Sequence, residues 1–203
     1  MTLVAAATAE HTGTLIFLHG LGDTGDGFFF TFKQIQRTYP SIRIVCPTAP
    51  IQPVTLNNGA CMPSWYDIKG FNKLVETYDG IDKSLAIIND LLESESKLIN
   101  PDKIILGGFS QGAAMSMYAG LQFPQKLCGI IALSGYLPLH TQWPELAHDA
   151  NKDTPVFAVH GQKDNMVKFE FGKLANDIIS KFNPNATLKI YPHLQHTVAP
   201  AEE

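Results

Sequence analysis

The chain has 203 residues; 45% of them are hydrophobic, 17% are charged, and the net charge at pH 7 is −4. This length and composition predict a single folded domain over residues 1–203 and argue against an intrinsically disordered chain. The negative charge, with Lys and Arg scattered along the chain, argues against a nucleic-acid-binding surface. The three cysteines, Cys46, Cys61 and Cys128, are unclustered. They are typical of a reducing compartment and lack the spacing of a zinc site.

The apolar, alanine-rich N-terminal segment Met1–Ala7 is similar to a weak signal peptide. It has no Lys or Arg before its apolar part and leads directly into a strand-like segment, which argues against that interpretation. No apolar run is long enough to span a membrane, and Thr at position 2 excludes N-myristoylation. We therefore expect a soluble, cytoplasmic protein.

In chain order, short and almost continuously apolar runs alternate with longer helical patterns. The runs predict buried strands at Thr14–Leu18, Ile42–Cys46, Lys103–Leu106, Gly129–Leu133, Val156–Val159 and Thr187–Tyr191. Apolar spacing predicts helices at Gly27–Thr38, Asp79–Leu98, Gln111–Leu121 and Asn165–Lys181. This alternation favours an α/β fold with a mostly parallel sheet and helices on both faces. The Pro- and Gly-rich stretch Pro47–Tyr78 predicts a long loop that is functional or flexible.

The segment Gly108–Gly112 reads GFSQG and matches the pattern GxSxG. A predicted strand leads into it and a predicted helix leaves it, as at the nucleophile elbow of a hydrolase. There Ser110 would adopt a positive φ, and glycine two residues to either side would avoid collisions with the neighbouring backbone. A glycine-rich strand-to-helix turn that contains Ser by chance is the alternative, but the context favours a nucleophile.

A serine hydroxyl is a weak nucleophile unless a base removes its proton. In this type of fold a carboxylate and then a histidine follow the serine, in loops after later strands. Asp164, after the strand ending at Val159, is the candidate carboxylate, although an Asx-turn or a helix N-cap would also explain it. His193 and His196 both follow the strand ending at Tyr191, and this reasoning leaves the choice between them open.

Acyl transfer also needs hydrogen-bond donors for the oxyanion. The backbone N–H of Gln111, the residue after the serine, is one candidate. The other is the N–H of Leu21, in the glycine-rich loop His19–Asp23 that follows the first predicted strand. A phosphate-binding loop is the alternative for this segment, but neither GxxxxGKS/T nor GxGxxG occurs in it.

Several segments resemble the acyl-protein thioesterase family, a group of small carboxylesterases and lysophospholipases with the α/β-hydrolase fold. The shared segments follow the family's order through nearly the whole chain. They are FLHGLGDTG (17–25), PTAP and PVTLN (47–57), MPSWYD (62–67), IILGGFSQG (104–112), ALS and LPL (132–139), and HG followed by Asp164.

The resemblance implies a role for each candidate residue. Ser110 is similar to the family's nucleophile, Asp164 to the carboxylate that orients the base, and His196 to the base itself. Leu21 and Gln111 match the family's oxyanion donors.

The resemblance also implies an α/β-hydrolase fold without a large cap domain. A proline-rich loop, here around residues 62–67, would help to form an apolar acyl groove, with Trp65, Met166 and Tyr136 as substrate-binding residues. Two departures bear on this groove. Tyr136 stands where the family usually has Trp, and Asn165 follows the candidate carboxylate where Pro is usual. Both departures imply a changed groove shape and a changed chain-length preference.

Two further departures concern the ends of the chain. There is no cysteine near the N-terminus, where some family members carry a palmitoylation site. The chain stops at Glu203, whereas the family continues into a helix that packs on the sheet. We expect this C-terminal helix to be missing, with Pro200–Glu203 as its first turn only. Its loss would expose apolar surface and loosen the loop that holds His196.

The resemblance implies hydrolysis of fatty-acyl thioesters, such as those of S-palmitoylated proteins, and of related esters through an acyl-enzyme. The alternative is a lysophospholipase or general carboxylesterase, and a non-catalytic binding module is a third reading. No metal or cofactor is expected. The expected partners are S-acylated proteins, including membrane-attached ones met transiently, or lysolipid and ester substrates. We expect a monomer or a weak dimer that binds no nucleic acid.

Overall fold

The fold is organised around one twisted sheet. A computed structural model describes residues 1–70 and 78–198 of the chain. The strands of the sheet are β1 (Thr2–Ala5), β2 (Gly13–Leu18), β3 (Ile42–Pro47), β6 (Ile104–Phe109), β7 (Gly129–Leu133), β8 (Val156–Gly161) and β9 (Ala186–Tyr191). Strands β4 (Ile51–Val54) and β5 (Ala60–Pro63) pair with each other in a separate hairpin. The spatial order is β1-β3-β2-β6-β7-β8-β9. β1 runs antiparallel to β3, and the other neighbouring pairs of this sheet are parallel.

Within the described parts of the chain, four helices flank the sheet: α1 (Asp26–Thr38), α2 (Ile81–Ser96), α3 (Gln111–Gln122) and α4 (Phe169–Ile179). Right-handed crossovers place α1 on one face and α2, α3 and α4 on the other, because the strand order reverses after β3. The core is divided accordingly: Phe17 and Phe29 pack on the α1 face, whereas Leu106 and Met115 belong to the larger cluster on the opposite face. The expected mostly parallel sheet with helices on both faces is confirmed.

Helix α3 is buried along almost its whole length, from Gln111 to Leu121. It lies against β6 and β7 and is covered in turn by α2. A helix enclosed in this way has apolar and small residues on all sides rather than one apolar stripe. The close packing fixes the N-terminus of α3 at the carboxyl edge of the sheet, where ligands of α/β proteins bind.

The structure also contains elements that the sequence pattern did not predict. Strand β1 is a short edge strand that forms only by pairing with β3. The hairpin β4–β5 lies inside the stretch expected to be a loop. Its turn contains Asn58 and Gly59, with φ of 55° and 79°, and Asn-Gly is a known turn signal that could have indicated it. Helix α4 begins at Phe169 rather than at Asn165.

Some expectations fall on residues 71–77 and 199–203, which the structure does not describe. They include part of the loop expected up to Tyr78 and the helical turn expected at Pro200–Glu203. No helix within residues 1–70 and 78–198 is long and apolar enough to cross a bilayer.

Candidate active site

Ser110 occupies the sharp turn between β6 and α3, at the carboxyl edge of the sheet. Its φ is 55° and its ψ is −116°, a backbone conformation that costs about 1–3 kcal/mol for a residue with a side chain. The turn is held from both sides: the Ser110 N–H donates to Leu133 O at 2.8 Å, and the Ala114 N–H donates to Ser110 O at 3.0 Å. The side chain is only 8% exposed. The strained turn is therefore maintained by its surroundings.

The two glycines of the GxSxG segment are explained by backbone packing. A Cβ on Gly108 would overlap the carbonyl group of Gly112. A Cβ on Gly112 would overlap Leu18 O and come within 2.6 Å of His19 O. Both neighbours are backbone atoms, which cannot rotate away as a side chain could. Glycine is therefore required at each position for α3 to approach β2 and β6.

We expect Gly112→Ala to lower the free energy of unfolding by about 1–3 kcal/mol, the usual cost of overpacking a close-packed interior. Urea unfolding followed by circular dichroism would measure this change. Gly70→Ala is the matched control, because a Cβ there meets no atom of the described residues within 4 Å, and it should change stability by less than about 0.5 kcal/mol. Equal stability of Gly112→Ala and wild type would contradict the packing argument.

Asp164 lies in the loop after β8, and its carboxylate is saturated with hydrogen bonds. Its Oδ1 accepts from the N–H groups of Met166 and Val167, both at 2.9 Å. Its Oδ2 lies 2.7 Å from His196 Nδ1 and 3.5 Å from His160 Nε2. The Asx-turn interpretation is thus correct for Oδ1, while Oδ2 contacts the histidine. The residue is not the N-cap of α4, because that position is Lys168.

Burial disfavours the charged form of Asp164, but the hydrogen bond from His196 and the N–H groups of Met166 and Val167 outweigh it. The pKa of Asp164 is therefore lowered from its ordinary value. The carboxylate is ionised at neutral pH and accepts the Nδ1–H of His196. This fixes the proton of a neutral His196 on Nδ1 and leaves Nε2 free to accept.

His196 lies in the loop after β9 and links the other two residues. Its Nε2 is 2.9 Å from Ser110 Oγ, on the ring edge opposite Nδ1. The ring packs against Phe109 with centroids 4.9 Å apart. The loop is tied to the neighbouring one by the Lys163 N–H, which donates to Leu194 O at 3.1 Å. His193, the other candidate, is exposed.

The structure thus brings Ser110, His196 and Asp164 into one hydrogen-bonded chain. The three residues are far apart in sequence and come from loops after three different strands of the same sheet. The arrangement can deprotonate the serine hydroxyl and stabilise the resulting imidazolium, which is the geometry needed for acyl transfer.

Two further histidines, His19 and His160, are almost fully buried near these residues, each 1% exposed. The His160 Nε2–H donates to Val167 O at 2.8 Å. Burial lowers the pKa of His19 and of His160. Both are therefore neutral in the folded protein at neutral pH, whereas an unfolded chain would protonate them below about pH 6.5.

We expect the free energy of unfolding to fall as the pH drops below about 6.5, because the unfolded state then binds protons that the folded state does not. Each of His19 and His160 contributes about 1.4 kcal/mol per pH unit until its lowered pKa is reached. Urea unfolding at pH 7.5, 6.5 and 5.5 measures this slope. His160→Gln should reduce this slope by about one proton. A flat profile would contradict the prediction.

The two expected oxyanion donors flank the serine. Gln111 is the first residue of α3, so its N–H has no partner within the helix. Leu21 lies in the loop after β2. Among the described residues, neither of these N–H groups donates to a protein acceptor. The Gln111 side chain has a separate use that the sequence did not reveal: Oε1 accepts from Trp65 N–H at 2.9 Å, and Nε2–H donates to Tyr66 O at 2.8 Å.

A cleft of about 450 Å³ opens beside Ser110 Oγ. Its size is within the range of small-molecule sites. Its wall is formed by the loop after β2, the β4–β5 hairpin and the loop after β8. The lining residues are Gly20, Leu21, Gly22, Asp23, Leu56, Asn57, Met62, Phe109, Ser110, Met166 and His196.

Of the residues expected in the acyl groove, Met166 lines this cleft and is 45% exposed. Trp65 and Tyr136 do not line it. Trp65 is 0% exposed, with its Nε1–H donating to His19 O at 2.9 Å. The Tyr136 hydroxyl lies 2.6 Å from the Tyr66 hydroxyl inside the core. The expectation for Trp65 and Tyr136 is corrected accordingly: each buries a large ring and pairs its polar atom with the protein.

Sequence reasoning did not place Leu56, Asn57 or Phe109 at the cleft. Phe109 could have been found, since it is the variable residue within GxSxG. Leu56 and Asn57 reach the cleft only because the hairpin folds over it, and no local pattern indicates that placement.

Comparison with known proteins agrees with this geometry. Residues 1–202 match the model of the phospholipase/carboxylesterase family. Acyl-protein thioesterase 1 homolog 1 of Dictyostelium discoideum is 43% identical over 95% of this chain and 86% of its own. Acyl-protein thioesterase 1 of Neurospora crassa is 39% identical over 96% and 84%. The crystal structure of Zea mays acyl-protein thioesterase 2 superposes with a TM-score of 0.80 at 28% identity, over 98% of this chain and 93% of that one.

These similarities extend over nearly the whole chain rather than over isolated motifs. They confirm the α/β-hydrolase fold and the resemblance drawn from the sequence segments. The chain belongs to the phospholipase/carboxylesterase family of α/β-hydrolases.

Proposed function

We propose that this protein is a serine hydrolase that cleaves fatty-acyl thioesters of S-acylated proteins, and related esters, through an acyl-enzyme. One observation carries the proposal. Ser110, His196 and Asp164 form a hydrogen-bonded chain with contacts of 2.9 and 2.7 Å, and this chain opens onto a cleft with apolar walls.

In this mechanism His196 Nε2 takes the proton of Ser110 as Oγ attacks the acyl carbonyl carbon. Asp164 stabilises the imidazolium that forms and holds the ring in position. Collapse of the tetrahedral intermediate expels the thiolate or alkoxide, which receives the proton from His196. Water deprotonated by His196 then attacks the acyl-enzyme, and Ser110 is regenerated as the fatty acid leaves.

The N–H groups of Leu21 and Gln111 are the proposed oxyanion donors. They flank Ser110 from two different elements, the loop after β2 and the N-terminus of α3. The helix end adds a favourable electrostatic potential for a developing negative charge. Each donor of this kind contributes about 10²–10³-fold to the rate.

The substrate class is supported by the composition of the cleft wall. Leu21, Leu56, Met62 and Met166 contribute apolar side chains there. Burial of each acyl CH₂ group contributes about 0.8 kcal/mol, so a chain of several carbons outweighs the polar contacts available to the head of the substrate. The names of the Dictyostelium, Neurospora and Zea relatives support the thioester of a protein as the bond cleaved.

The second candidate is a lysophospholipase or general carboxylesterase that uses the same residues. The description of the family, phospholipase/carboxylesterase, favours this reading. The non-catalytic alternative is disfavoured by the intact hydrogen-bonded chain. In keeping with the thioester proposal, the partners would be S-acylated proteins met at membranes in the cytoplasm, with the enzyme acting as a monomer or weak dimer.

The deciding experiment compares thiol release from an S-palmitoylated peptide with fatty-acid release from lysophosphatidylcholine, with Ser110→Ala as control. We expect faster, Ser110-dependent turnover of the thioester. Preference for the lysolipid would assign the protein to lipid hydrolysis. Absence of Ser110-dependent turnover of both substrates would refute the hydrolase proposal.

A further inference from the structure

His19 is the first residue of the loop that carries the Leu21 N–H. Its ring is buried between two backbone groups on opposite edges. The Ala49 N–H lies 2.9 Å from Nε2, and Gly20 O lies 2.6 Å from Nδ1. An N–H can only donate, so Nε2 must be the acceptor of this pair, and the ring proton must lie on Nδ1. The neutral tautomer with Nδ1–H donating to Gly20 O is thereby fixed by the fold.

The neutral ring is also favoured by its surroundings. Burial lowers the pKa of His19 and outweighs the opposing effects of Gly20 O and Asp23. The ring packs beside the Trp65 indole, with centroids 5.4 Å apart, and Trp65 Nε1–H donates to His19 O. The side chain therefore has one position and one protonation state at neutral pH.

The carbonyl that His19 holds belongs to the same peptide group as the Leu21 N–H. That peptide is trans, since the described residues contain a cis bond only at Trp143–Pro144. In a planar trans peptide the C=O and N–H point in opposite directions. Anchoring Gly20 O on the protein side therefore directs the Leu21 N–H away from the His19 ring.

The rest of the loop acts on this peptide less directly. Gly20 and Gly22 flank Leu21, and the backbone at glycine is conformationally permissive. Gly22, with a φ of 79°, is held by its own N–H, which donates to Pro63 O at 2.9 Å, but this bond does not contact the Gly20–Leu21 peptide group. The Asp23 N–H also donates to Gly20 O, at the longer distance of 3.2 Å. The contact with His19 is the shorter of the two and comes from a fixed ring.

We infer that His19 is a positioning residue, which orients the Leu21 N–H for the oxyanion by donating from Nδ1 to Gly20 O. This inference rests on the proposed function of Ser110 as the nucleophile. According to this inference, His19 helps to stabilise the transition state and does not affect how tightly the acyl chain binds in the ground state. Its loss should therefore lower kcat and leave KM nearly unchanged.

Two substitutions separate this role from a purely structural one. The amide of Asn can occupy the position of Nδ1, so His19→Asn keeps a donor for Gly20 O and loses the acceptor for the Ala49 N–H. The amide of Gln reaches the position of Nε2, so His19→Gln keeps the acceptor for Ala49 and loses the donor. A structural role predicts that Gln is tolerated at least as well as Asn, whereas orientation of Leu21 predicts the reverse order in kcat.

The test measures kcat and KM for hydrolysis of p-nitrophenyl octanoate, and thermal unfolding, for both variants. Because loss of a whole oxyanion donor costs about 10²–10³-fold, we expect misorientation by His19→Gln to lower kcat about 10- to 100-fold. We expect His19→Asn to stay within about five-fold of wild type, since the donor to Gly20 O is kept. Inhibition by octylboronic acid, which forms a tetrahedral adduct on serine, should weaken in the same order. His148→Gln is the matched control, because His148 also accepts a backbone N–H, that of Ala150, in an exposed turn.

The outcomes are distinguishable. Equal kcat losses in the two variants, or a change in KM alone, would overturn the role of His19. Wild-type kcat in His19→Gln, with turnover abolished in Ser110→Ala, would overturn it while sustaining the proposed function. Wild-type turnover in Ser110→Ala would instead reject the proposed function itself.

Discussion

Ser110→Ala is expected to lower kcat for acyl hydrolysis about 10⁶-fold, because the oxygen proposed to attack the acyl carbonyl is removed. Thiol release from an S-palmitoylated peptide, measured with equal amounts of folded enzyme, gives the rate. The substitution removes one hydroxyl group at a side chain that is 8% exposed. The fold should therefore be retained. Any relief of backbone strain at position 110 would not restore activity, because the hydroxyl is absent.

Ser94→Ala is the matched control for this result. The Ser94 hydroxyl is exposed on α2 and donates to the backbone carbonyl of Asp90. It lies outside the cleft, so the variant should hydrolyse the thioester at the wild-type rate. A Ser110→Ala rate within ten-fold of wild type would remove Ser110 from the mechanism and point to another nucleophile.

Asp164→Asn is expected to lower kcat about 10⁴-fold while leaving the loop intact. The Asn carbonyl can still accept from the N–H groups of Met166 and Val167, as Asp164 Oδ1 does. Its amide, however, would donate to His196 Nδ1 and move the ring proton to Nε2. His196 could then no longer accept the proton of Ser110. The substitution should therefore lower kcat without reducing the stability of the fold.

The control for Asp164→Asn is Asp177→Asn, which removes a carboxylate that pairs with Lys173 on the exposed surface of α4. A surface pair of this kind contributes little to stability and none to the mechanism. We therefore expect wild-type kcat in Asp177→Asn and similar thermal unfolding in both variants. A kcat near wild type in Asp164→Asn would mean that the carboxylate is not needed to set the tautomer of His196.

The strained turn at Ser110 could be recognised from the sequence because its requirements are local. A strand of continuous apolar residues leads into the turn, two glycines surround Ser110, and a run of small residues follows. Each of these features meets a steric requirement set by residues within about ten positions of Ser110 in the chain. The glycine requirement is borne out by the overlaps that a Cβ would create with the backbone of Gly112 and Leu18. The chain order of serine, carboxylate and histidine follows from the order of the strands, so Ser110, Asp164 and a histidine after β9 could also be predicted.

Local patterns were insufficient for the choice between His193 and His196. Both follow the same strand, and residue reasoning alone could not separate them. The resemblance to a family indicated His196, and the structure orients that side chain towards Ser110 and Asp164. Three positions in a loop are enough to reverse the direction of a side chain, so only the folded loop determines which histidine reaches the serine.

Local sequence patterns were also insufficient to predict which residues line the cleft. Trp65 and Tyr136 are large aromatic residues, and the family resemblance implied that they bind substrate at the acyl groove. In the structure both lie in the core with their polar atoms paired to His19 O and the Tyr66 hydroxyl. A residue one or two positions away in an irregular segment can face the opposite way, and no periodic pattern records the direction there.

The sequence by itself determined the strand–helix order, the glycine-flanked turn at Ser110 and the chain order of a serine, a carboxylate and a later histidine, because these follow from periodicity, glycine placement and strand order. Only the tertiary structure decided which groups meet: the hairpin that brings Leu56 to the cleft, the Gln111 amide that holds residues 64–66, and the proton position on His19. Those features depend on contacts between segments distant in the chain. Their hydrogen bonds are fixed by the shape of the whole core rather than by any local pattern.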